Sequence, residues 1–341
     1  MSTLRVNNID AYSNDGGQAV RLRSSLIVGG VTGSGTENRV YTGSNEAVYA
    51  SLALGYDVEA SGQNSVALGA YSKATGHVSF AHGNGPHANQ LWSHAEGFFT
   101  KTDGLYSHAE GSYTSASGYA AHSEGEQTVA SGMFAHAEGK YPKATGEASH
   151  AEGHTTIASG EASHAEGYLT TASANFSHAE GRNSAAVKVG SHAEGYYTLT
   201  TGSYSHAEGF RSSTTGSYSH AEGNGTSTAG AYSHAEGREA RTLEDARYSH
   251  AEGFRTVAAA DYQHVQGKYN VSSSDTNTMM IIGNGTDDSN RSNLIEFRTG
   301  SIVLDTGSLP TSDPGVMGQL YMTSSAHFGG NASLRVLMIS V

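Results

Sequence analysis

Residues 205–223 read SHAEGFRSSTTGSYSHAEG, and this stretch contains the element that decides the fold. The pentapeptide SHAEG ends at Gly209 and returns 14 residues later at Gly223. The same pentapeptide or a close variant recurs in this register along most of the chain, with one 16-residue step between Gly237 and Gly253. Toward the amino terminus the register continues as SLALG at 51–55, SVALG at 65–69 and SFAHG at 79–83. We count roughly sixteen units between about residues 42 and 268.

A unit of this length predicts a β-coil. Fourteen residues are too few for a helical hairpin, but two short strands joined by two tight turns fit. A weaker glycine falls seven residues after the first, as at Gly216 and Gly230, and glycine at both half-periods indicates turns that need a positive φ. Coils of this kind would stack by parallel strand pairing. The sequence therefore predicts an all-β, parallel β-solenoid or β-roll with 14-residue coils.

Alternation within a unit predicts which side chains face outward. It places Ser219, Ala221 and Gly223 on one side of a strand and His220 and Glu222 on the other. The first three are tiny and suit the narrow interior of a two-stranded coil. The outer positions carry leucine and valine in the first two units, and a continuous exposed apolar column marks association. We predict that this column faces another protomer, the alternative being a solvated face.

The predicted interface comprises the outer positions of all units. They are Leu52, Leu54, Val66, Leu68, Phe80, His94, Glu96, His108, Glu110, His122, Glu124, His136, Glu138, His150, Glu152, His164, Glu166, His178, Glu180, His192, Glu194, His206, Glu208, His220, Glu222, His234, Glu236, His250 and Glu252.

Composition excludes several functional classes. The net charge is −13 and no basic stripe exists, so we expect no nucleic-acid partner. The chain has no cysteine, which excludes disulfides and thiolate metal sites. No run approaches eighteen apolar residues, and the first residues lack an apolar signal-peptide segment, so we expect neither membrane insertion nor signal-dependent export.

Each unit contains Ser, His and Glu, the residue types of a hydrolase triad. Neighbouring Ser and His would face opposite ways on a strand, so we predict no enzyme, no catalytic residue and no cofactor. Rings of three histidines from three chains could hold a transition metal. However, the Glu two residues after each His can serve as its hydrogen-bond partner without a metal. We therefore predict no metal site, and metal-binding histidine rings remain the less favoured alternative.

An aromatic column precedes the histidines by two residues. We interpret it as stacking between coils and chains, and a sugar-binding ladder is the less favoured reading. Its members are Trp92, Tyr106, Phe134, Phe176, Tyr204, Tyr218, Tyr232, Tyr248 and Tyr262.

SLALG at 51–55 and NSVALG at 64–69 resemble the head repeat of trimeric autotransporter adhesins. The resemblance implies a left-handed parallel β-roll in a homotrimer, with the two larger residues of each motif facing the trimer centre. The later units depart from that family by carrying His and Glu at these positions.

The two ends of the chain resemble phage proteins. MSTLRVNNI at 1–9 is similar to the start of structural proteins of marine phages. IIGNGTDDSNRSN at 281–293 resembles a segment that follows SHAEG repeats in phage and prophage tail proteins. LPTSDPGVMGQLY at 309–321 is similar to C-terminal parts of phage fibres. These resemblances imply a phage tail fibre that is made in the host cytoplasm and located in the virion. The implied partners are other virion tail proteins at the amino-terminal end and a host surface receptor, for which a glycan is one candidate.

The predicted organisation has three parts. Residues 1–41 form an attachment region and base cap, 42–268 the β-roll, and 269–341 a small β-rich tip with short apolar runs at 279–282, 294–297, 302–304 and 334–341. Alternative functions are a fibre of a cell-encoded contractile injection system and a bacterial surface adhesin.

Overall fold

The computed structural model describes residues 26–27, 39–41, 51–305, 315–317, 319–324 and 335–339. The chain divides into two compact units, residues 1–197 and 198–341. Within the described ranges all regular structure is β, and no helix there is long and apolar enough to cross a membrane. The predicted parallel β-solenoid is confirmed, with about 17 coils at a spacing of about 14 residues.

Each coil has a long strand, a turn, a short strand and a second turn. In one representative coil the strands are His94–Phe98 and Lys101–Thr102. The turns contain Phe99 (φ 50°) and Tyr106 (φ 60°), which are left-handed although neither is glycine. The same conformation recurs at most equivalent positions of other coils. The chain therefore turns through ordinary residues in the left-handed region, which costs roughly 1–2 kcal/mol per residue and must be offset by coil stacking.

The strands of the first unit alternate between long and short. In chain order they are β1 (Leu26–Ile27), β2 (Arg39–Tyr41), β3 (Ser51–Tyr56), β4 (Glu59–Ala60), β5 (Val66–Ala70), β6 (Lys73–Ala74), β7 (Phe80–Asn84), β8 (His87–Ala88), β9 (His94–Phe98), β10 (Lys101–Thr102), β11 (His108–Ser112), β12 (Ser115–Ala116), β13 (His122–Glu126), β14 (Val129–Ala130), β15 (His136–Lys140), β16 (Lys143–Ala144), β17 (His150–His154), β18 (Ile157–Ala158), β19 (His164–Tyr168), β20 (Thr171–Ala172), β21 (His178–Ala179), β22 (Ala185–Ala186) and β23 (His192–Tyr196). From β3 onward, long strands pair in parallel with long strands and short with short, whereas β2 pairs antiparallel with β1 and β3.

The second unit continues the alternation and then leaves it. Its strands are β24 (Leu199–Thr200), β25 (His206–Phe210), β26 (Ser213–Thr214), β27 (His220–Asn224), β28 (Ser227–Thr228), β29 (His234–Arg238), β30 (Arg241–Thr242), β31 (His250–Phe254), β32 (Val257–Ala258), β33 (His264–Lys268), β34 (Thr278–Asn284), β35 (Asn293–Arg298), β36 (Ser301–Leu304), β37 (Leu320–Ser324) and β38 (Arg335–Ile339). β34 pairs in parallel with β33 and antiparallel with β35, which pairs antiparallel with β36. β37 and β38 form a separate antiparallel pair. The apolar runs predicted for the tip at 279–282, 294–297 and 302–304 therefore lie on strands, as does the described part of the run at 334–341.

The strand register places identical residues in columns. His108 pairs with His122, and Glu110 with Glu124, one coil apart. The longer step keeps this register, because His234 pairs with His250. The additional residues lie in the turn between β30 and β31, where the Ala246 amide donates a hydrogen bond to the Leu243 carbonyl (3.0 Å).

The core is a narrow column of alanine and hydroxyl side chains. Ala95 and Ala109 are fully buried, and their equivalents recur through each unit. The buried Ser107 hydroxyl donates to the Gly104 carbonyl at 2.7 Å, and the same bond recurs in many coils. The predicted interior positions are thus confirmed for Ser219 and Ala221, but the prediction for Gly223 is wrong, since this residue is exposed.

The two glycines of a coil have different roles. Gly111, at the end of the motif, has a φ of +103°, and a Cβ built on it would lie 2.2 Å from the Gly125 carbonyl oxygen. Gly104, at the half-period, has no left-handed φ, but a Cβ there would lie 1.9 Å from the Gly118 oxygen. The prediction that both glycines provide positive φ is therefore wrong for the half-period glycine, which permits close approach of adjacent coils.

Two amide side chains end the sheet of short strands at β32. The Asn270 side chain is buried, accepts a hydrogen bond from the Val257 amide (2.7 Å) and donates one to the Val257 carbonyl (3.0 Å). It replaces the backbone of a further short strand. Buried Gln263 accepts from the Ala259 amide (3.0 Å) and donates to the Thr278 carbonyl (3.2 Å). Within the predicted 1–41 region the structure describes only β1 and β2, and the rest of that region lies outside the described residues.

Candidate interaction face

The outward positions of the long strands form one face in each unit. We call the outward residues His94 to Glu194 in the first unit, and His206 to Glu252 in the second, the His–Glu column. In the coils that precede His94, the positions equivalent to this histidine hold Leu52, Val66 and Phe80. The positions equivalent to Glu96 hold Leu54 and Leu68 in the first two coils. The structure thus brings the predicted interface residues of each unit together on one side of the coils. Whether this side contacts another chain stays a prediction.

The histidine rings of the column stack on one another. In the first unit, consecutive ring centroids from His94 to His192 lie 4.5–4.8 Å apart, with interplanar angles of 2–8°. In the second unit, the spacing from His206 to His264 is 4.7–4.8 Å. This spacing is that of neighbouring strands, so the pairing of the coils sets it.

The stacking hides one nitrogen of each imidazole. The Nε2 atoms of the following histidines are inaccessible to solvent and have no hydrogen-bond partner among the described residues: His94, His108, His122, His136, His150, His164, His178, His220, His234, His250 and His264. Glu96 Oε2 lies 3.4 Å from His94 Nε2, and the corresponding separation at His108 is 3.8 Å. Hydrogen bonds of this type are usually 2.7–3.2 Å, so the carboxylates are near the nitrogens without bonding them.

Burial shifts the pKa of these imidazoles downward. For His94, His122 and His178, desolvation is the main cause, and the nearby carboxylates oppose it without reversing it. At His108 and His150, the neighbouring histidines add to the lowering of the pKa. Two effects oppose each other in the column: pairing with a carboxylate raises a histidine pKa, and burial lowers it. Within a single chain, burial prevails.

The carboxylates of the column share protons. A hydrogen bond with Glu166 is the main cause that raises the pKa of Glu152 to about 7, with burial and repulsion between like charges adding to it. Burial and the same neighbour raise the pKa of Glu180 to about 7. Glu166 lies between them and has a lowered pKa, mainly because it shares the hydrogen bond with Glu152. A few pH units on the acidic side of 7, Glu152 and Glu180 are therefore mainly protonated, whereas Glu166 between them is ionised down to a lower pH.

An open groove follows the carboxylate side of the column in the second unit. Its volume is about 740 Å³, and it is lined by Glu222, Glu236, Glu252, Gln266 and Ile282, with glycines between them. The groove is acidic along most of its length and becomes apolar at Ile282.

Part of the aromatic column stacks within the chain as predicted, whereas Phe134 contacts Tyr119 edge-on instead (5.5 Å, 81°). From Tyr204 to Tyr262, consecutive ring centroids are 4.9–5.3 Å apart, with interplanar angles of 3–14°. Trp92 and Tyr106 stack similarly in the first unit. The rings cover one another's faces and present edges to solvent. Since a sugar would stack on a ring face, this arrangement favours the packing interpretation over a glycan ladder.

The Ser and His of a motif do not converge. The buried Ser219 hydroxyl donates to the Gly216 carbonyl at 2.6 Å, inside the coil. His220 lies on the outer side of the same strand. A serine nucleophile needs the imidazole within hydrogen-bond reach, so the Ser219–Glu222 repeat does not assemble a catalytic triad.

Sequence reasoning missed the residues that cap the carboxyl-terminal end of the repeat. Besides Gln263 and Asn270, Arg291 donates to the Asn270 carbonyl (3.1 Å) and pairs with Asp288, which also pairs with Arg255. The available signal was the last motif, QHVQG at 263–267, where Gln and Val replace the usual Ser and Ala. Larger interior side chains at the end of a repeat array are typical of a cap.

No protein-family model matches this chain, and no curated protein is similar to it at a significant level.

Proposed function

We propose that this chain is the structural, homotrimeric fibre protein of a phage tail, attached to the virion by its amino-terminal region and contacting the host surface distally. One observation carries the proposal: the same outward column recurs in coil after coil, and it combines apolar residues in the first coils with buried, unbonded imidazole nitrogens in the later ones. A face of this kind suits association along its length.

The trimeric state is supported by the first three coils. Leu52, Val66 and Leu68 are partly buried in a single chain, and Leu54 is exposed. Three such columns meeting at an axis would remove this apolar surface from water, at about 25 cal/mol per Å². The resemblance to the head repeat of trimeric adhesins supports the same arrangement and a left-handed coil.

Sedimentation equilibrium tests the oligomeric state. We expect three times the chain mass of 35.4 kDa at micromolar concentration. Charges introduced by Val66→Lys with Leu68→Lys should weaken the trimer, whereas Ile157→Lys, on an outward position of a short strand, is the matched control. A stable monomeric wild type, or equal effects of the two variants, would overturn the proposal.

The phage assignment is supported by the resemblances at residues 1–9, 281–293 and 309–321. Electron microscopy of intact particles labelled with an antibody against residues 280–341 should place the label at the distal ends of phage tail fibres. Label on a contractile injection particle or on a bacterial surface would instead support one of the alternative fibres. Label on no assembled particle or cell would argue against all three.

A further inference from the structure

The His–Glu column carries a chemistry that trimer formation does not require. Each coil of the column places an imidazole and a carboxylate on the same strand, two residues apart. His136 Nε2 lies 3.5 Å from Glu138 Oε2, and His150 Nε2 lies 3.7 Å from Glu152 Oε2. Two ligand atoms of a tetrahedral zinc ion lie about 3.3 Å apart, given bonds of roughly 2.0–2.1 Å. The pair therefore needs only a few tenths of an ångström of adjustment to chelate such an ion.

The next coil supplies a third ligand. Glu152 Oε1 lies 3.9 Å from His164 Nε2, so this carboxylate stands between the imidazoles of two successive coils. In the groups His150–Glu152–His164 and His164–Glu166–His178, all the offered ligand atoms lie within 4.8 Å of one another. The side chains are half-exposed, which leaves them room to turn toward a common centre.

A second observation points to a ligand. Nε2 of His150, His164 and His178 is shielded from solvent without a hydrogen-bond partner among the described residues, and a buried polar atom in that state is costly. The adjacent carboxylates repel one another, and a divalent cation would relieve that repulsion.

We propose that the His–Glu column of a single chain binds zinc or a similar divalent transition-metal ion through His–Glu–His groups, of which His150–Glu152–His164 is representative. Imidazole with carboxylate suits Zn²⁺, Co²⁺ and Ni²⁺, whereas Mg²⁺ and Ca²⁺ prefer oxygen ligands alone. Water completes the coordination. The inference does not depend on the proposed function, because all three ligands belong to one chain.

The test uses the full-length protein, freed of metal with EDTA and dialysed at pH 7.5. Zinc binding is measured by competition with a chromophoric indicator, and X-ray absorption spectra of the loaded protein identify the ligands. We expect several ions per chain, bonds of about 2.0–2.1 Å to nitrogen and oxygen, and imidazole scattering. Zinc should bind at least tenfold more tightly than magnesium or calcium.

Variants assign the binding to the column. The triple variant His150→Gln, His164→Gln, His178→Gln should bind fewer zinc ions than the wild type. The control His154→Gln removes an imidazole outside the column, bonded to the Thr155 hydroxyl, and should leave the number unchanged. Absence of zinc binding, spectra without imidazole, or equal magnesium affinity would each overturn the inference, whether or not the triple variant folds. Sedimentation of the same metal-free sample shows separately whether the trimer forms.

Discussion

Two glycines of one coil, two residues apart, allow a sharp test of how the coils are held together. Gly223 ends the motif with a φ of +114°, and a Cβ on it would lie 2.1 Å from the Gly237 carbonyl oxygen. Gly225 has a φ of +68°, and its Cβ would meet only the Glu239 Cγ, at 3.4 Å. The residue equivalent to Gly225 in the next coil is Glu239, which has a φ of 56°.

The two alanine substitutions should therefore differ widely. Gly223→Ala combines backbone strain of about 1–3 kcal/mol with overpacking of about 1–3 kcal/mol, so we expect a loss of about 4 kcal/mol. Gly225→Ala places alanine in the left-handed region at about 1–2 kcal/mol but adds no close contact with the next coil. We therefore expect it to cost about 1–2 kcal/mol, well below the loss for Gly223→Ala.

Urea unfolding followed by circular dichroism gives the overall effect, and amide hydrogen exchange across residues 209–237 locates it. Gly223→Ala should lower the unfolding midpoint and speed exchange in the two coils that meet at this glycine, because stability in a repeat array depends on nearest neighbours. Equal losses for both variants would show that glycine is needed for its φ in both places, and the close-approach argument would be wrong.

Three further predictions concern the column and the cap. Replacing Glu152 and Glu180 with Gln should raise stability more at pH 8 than at pH 5. The folded pKa of these carboxyl groups, about 7, exceeds the unfolded value, so the wild type loses stability as pH rises from 4.5 through 7. Thermal melting measures the gain, and an equal gain at both pH values would refute this prediction. The lowered pKa of His94, His122 and His178 acts oppositely, removing stability as pH falls below 6.5, and melting of their Gln variants should show a smaller loss on acidification. Asn270→Ala should cost about 3 kcal/mol, because it leaves the amide and the carbonyl of Val257 without hydrogen-bond partners. Hydrogen exchange of the Val257 amide should become faster. The control Asn277→Ala, at an exposed turn, should have little effect on stability.

The architecture could be predicted from the sequence because one period governs every unit. A strand register that advances by one repeat places like residues in columns, so the alternation of Ser219, His220 and Ala221 was enough to assign the inside and the outside of a coil. The same logic located the face that contains Leu52 and His94. The longer step before Gly253 leaves the strand register intact, because His234 still pairs with His250.

The turns could not be predicted in the same way. Glycine is the usual residue for a positive φ, yet the turn positions hold residues such as Phe99 and Tyr106. Their conformation is enforced by the coils above and below, which a local propensity does not register. The cap was missed for a related reason: Asn270 acts through hydrogen bonds to Val257, 13 residues earlier, and only the folded coil brings the two together.

The electrostatics of the column follow from the fold rather than from the motif. A single His-Ala-Glu segment on an isolated strand would be solvated, with both groups near their ordinary pKa values. Stacking at 4.7–4.8 Å covers His136, His150 and His164 with the rings of their neighbours and sets Glu152 beside Glu166. Burial then lowers the pKa of His150. The hydrogen bond with Glu166, together with burial and repulsion, raises the pKa of Glu152, so the two partners of this potential ion pair are driven toward their neutral forms. Each coil desolvates the imidazole and the carboxyl group of the next coil. A ligand that supplies positive charge or a hydrogen-bond donor along the column would therefore stabilise many coils at once. The proposed metal ion and the proposed partner chain would both act on the unbonded Nε2 atoms of the column. Measuring trimer mass with and without zinc in one sample shows whether the column accommodates one of them or both.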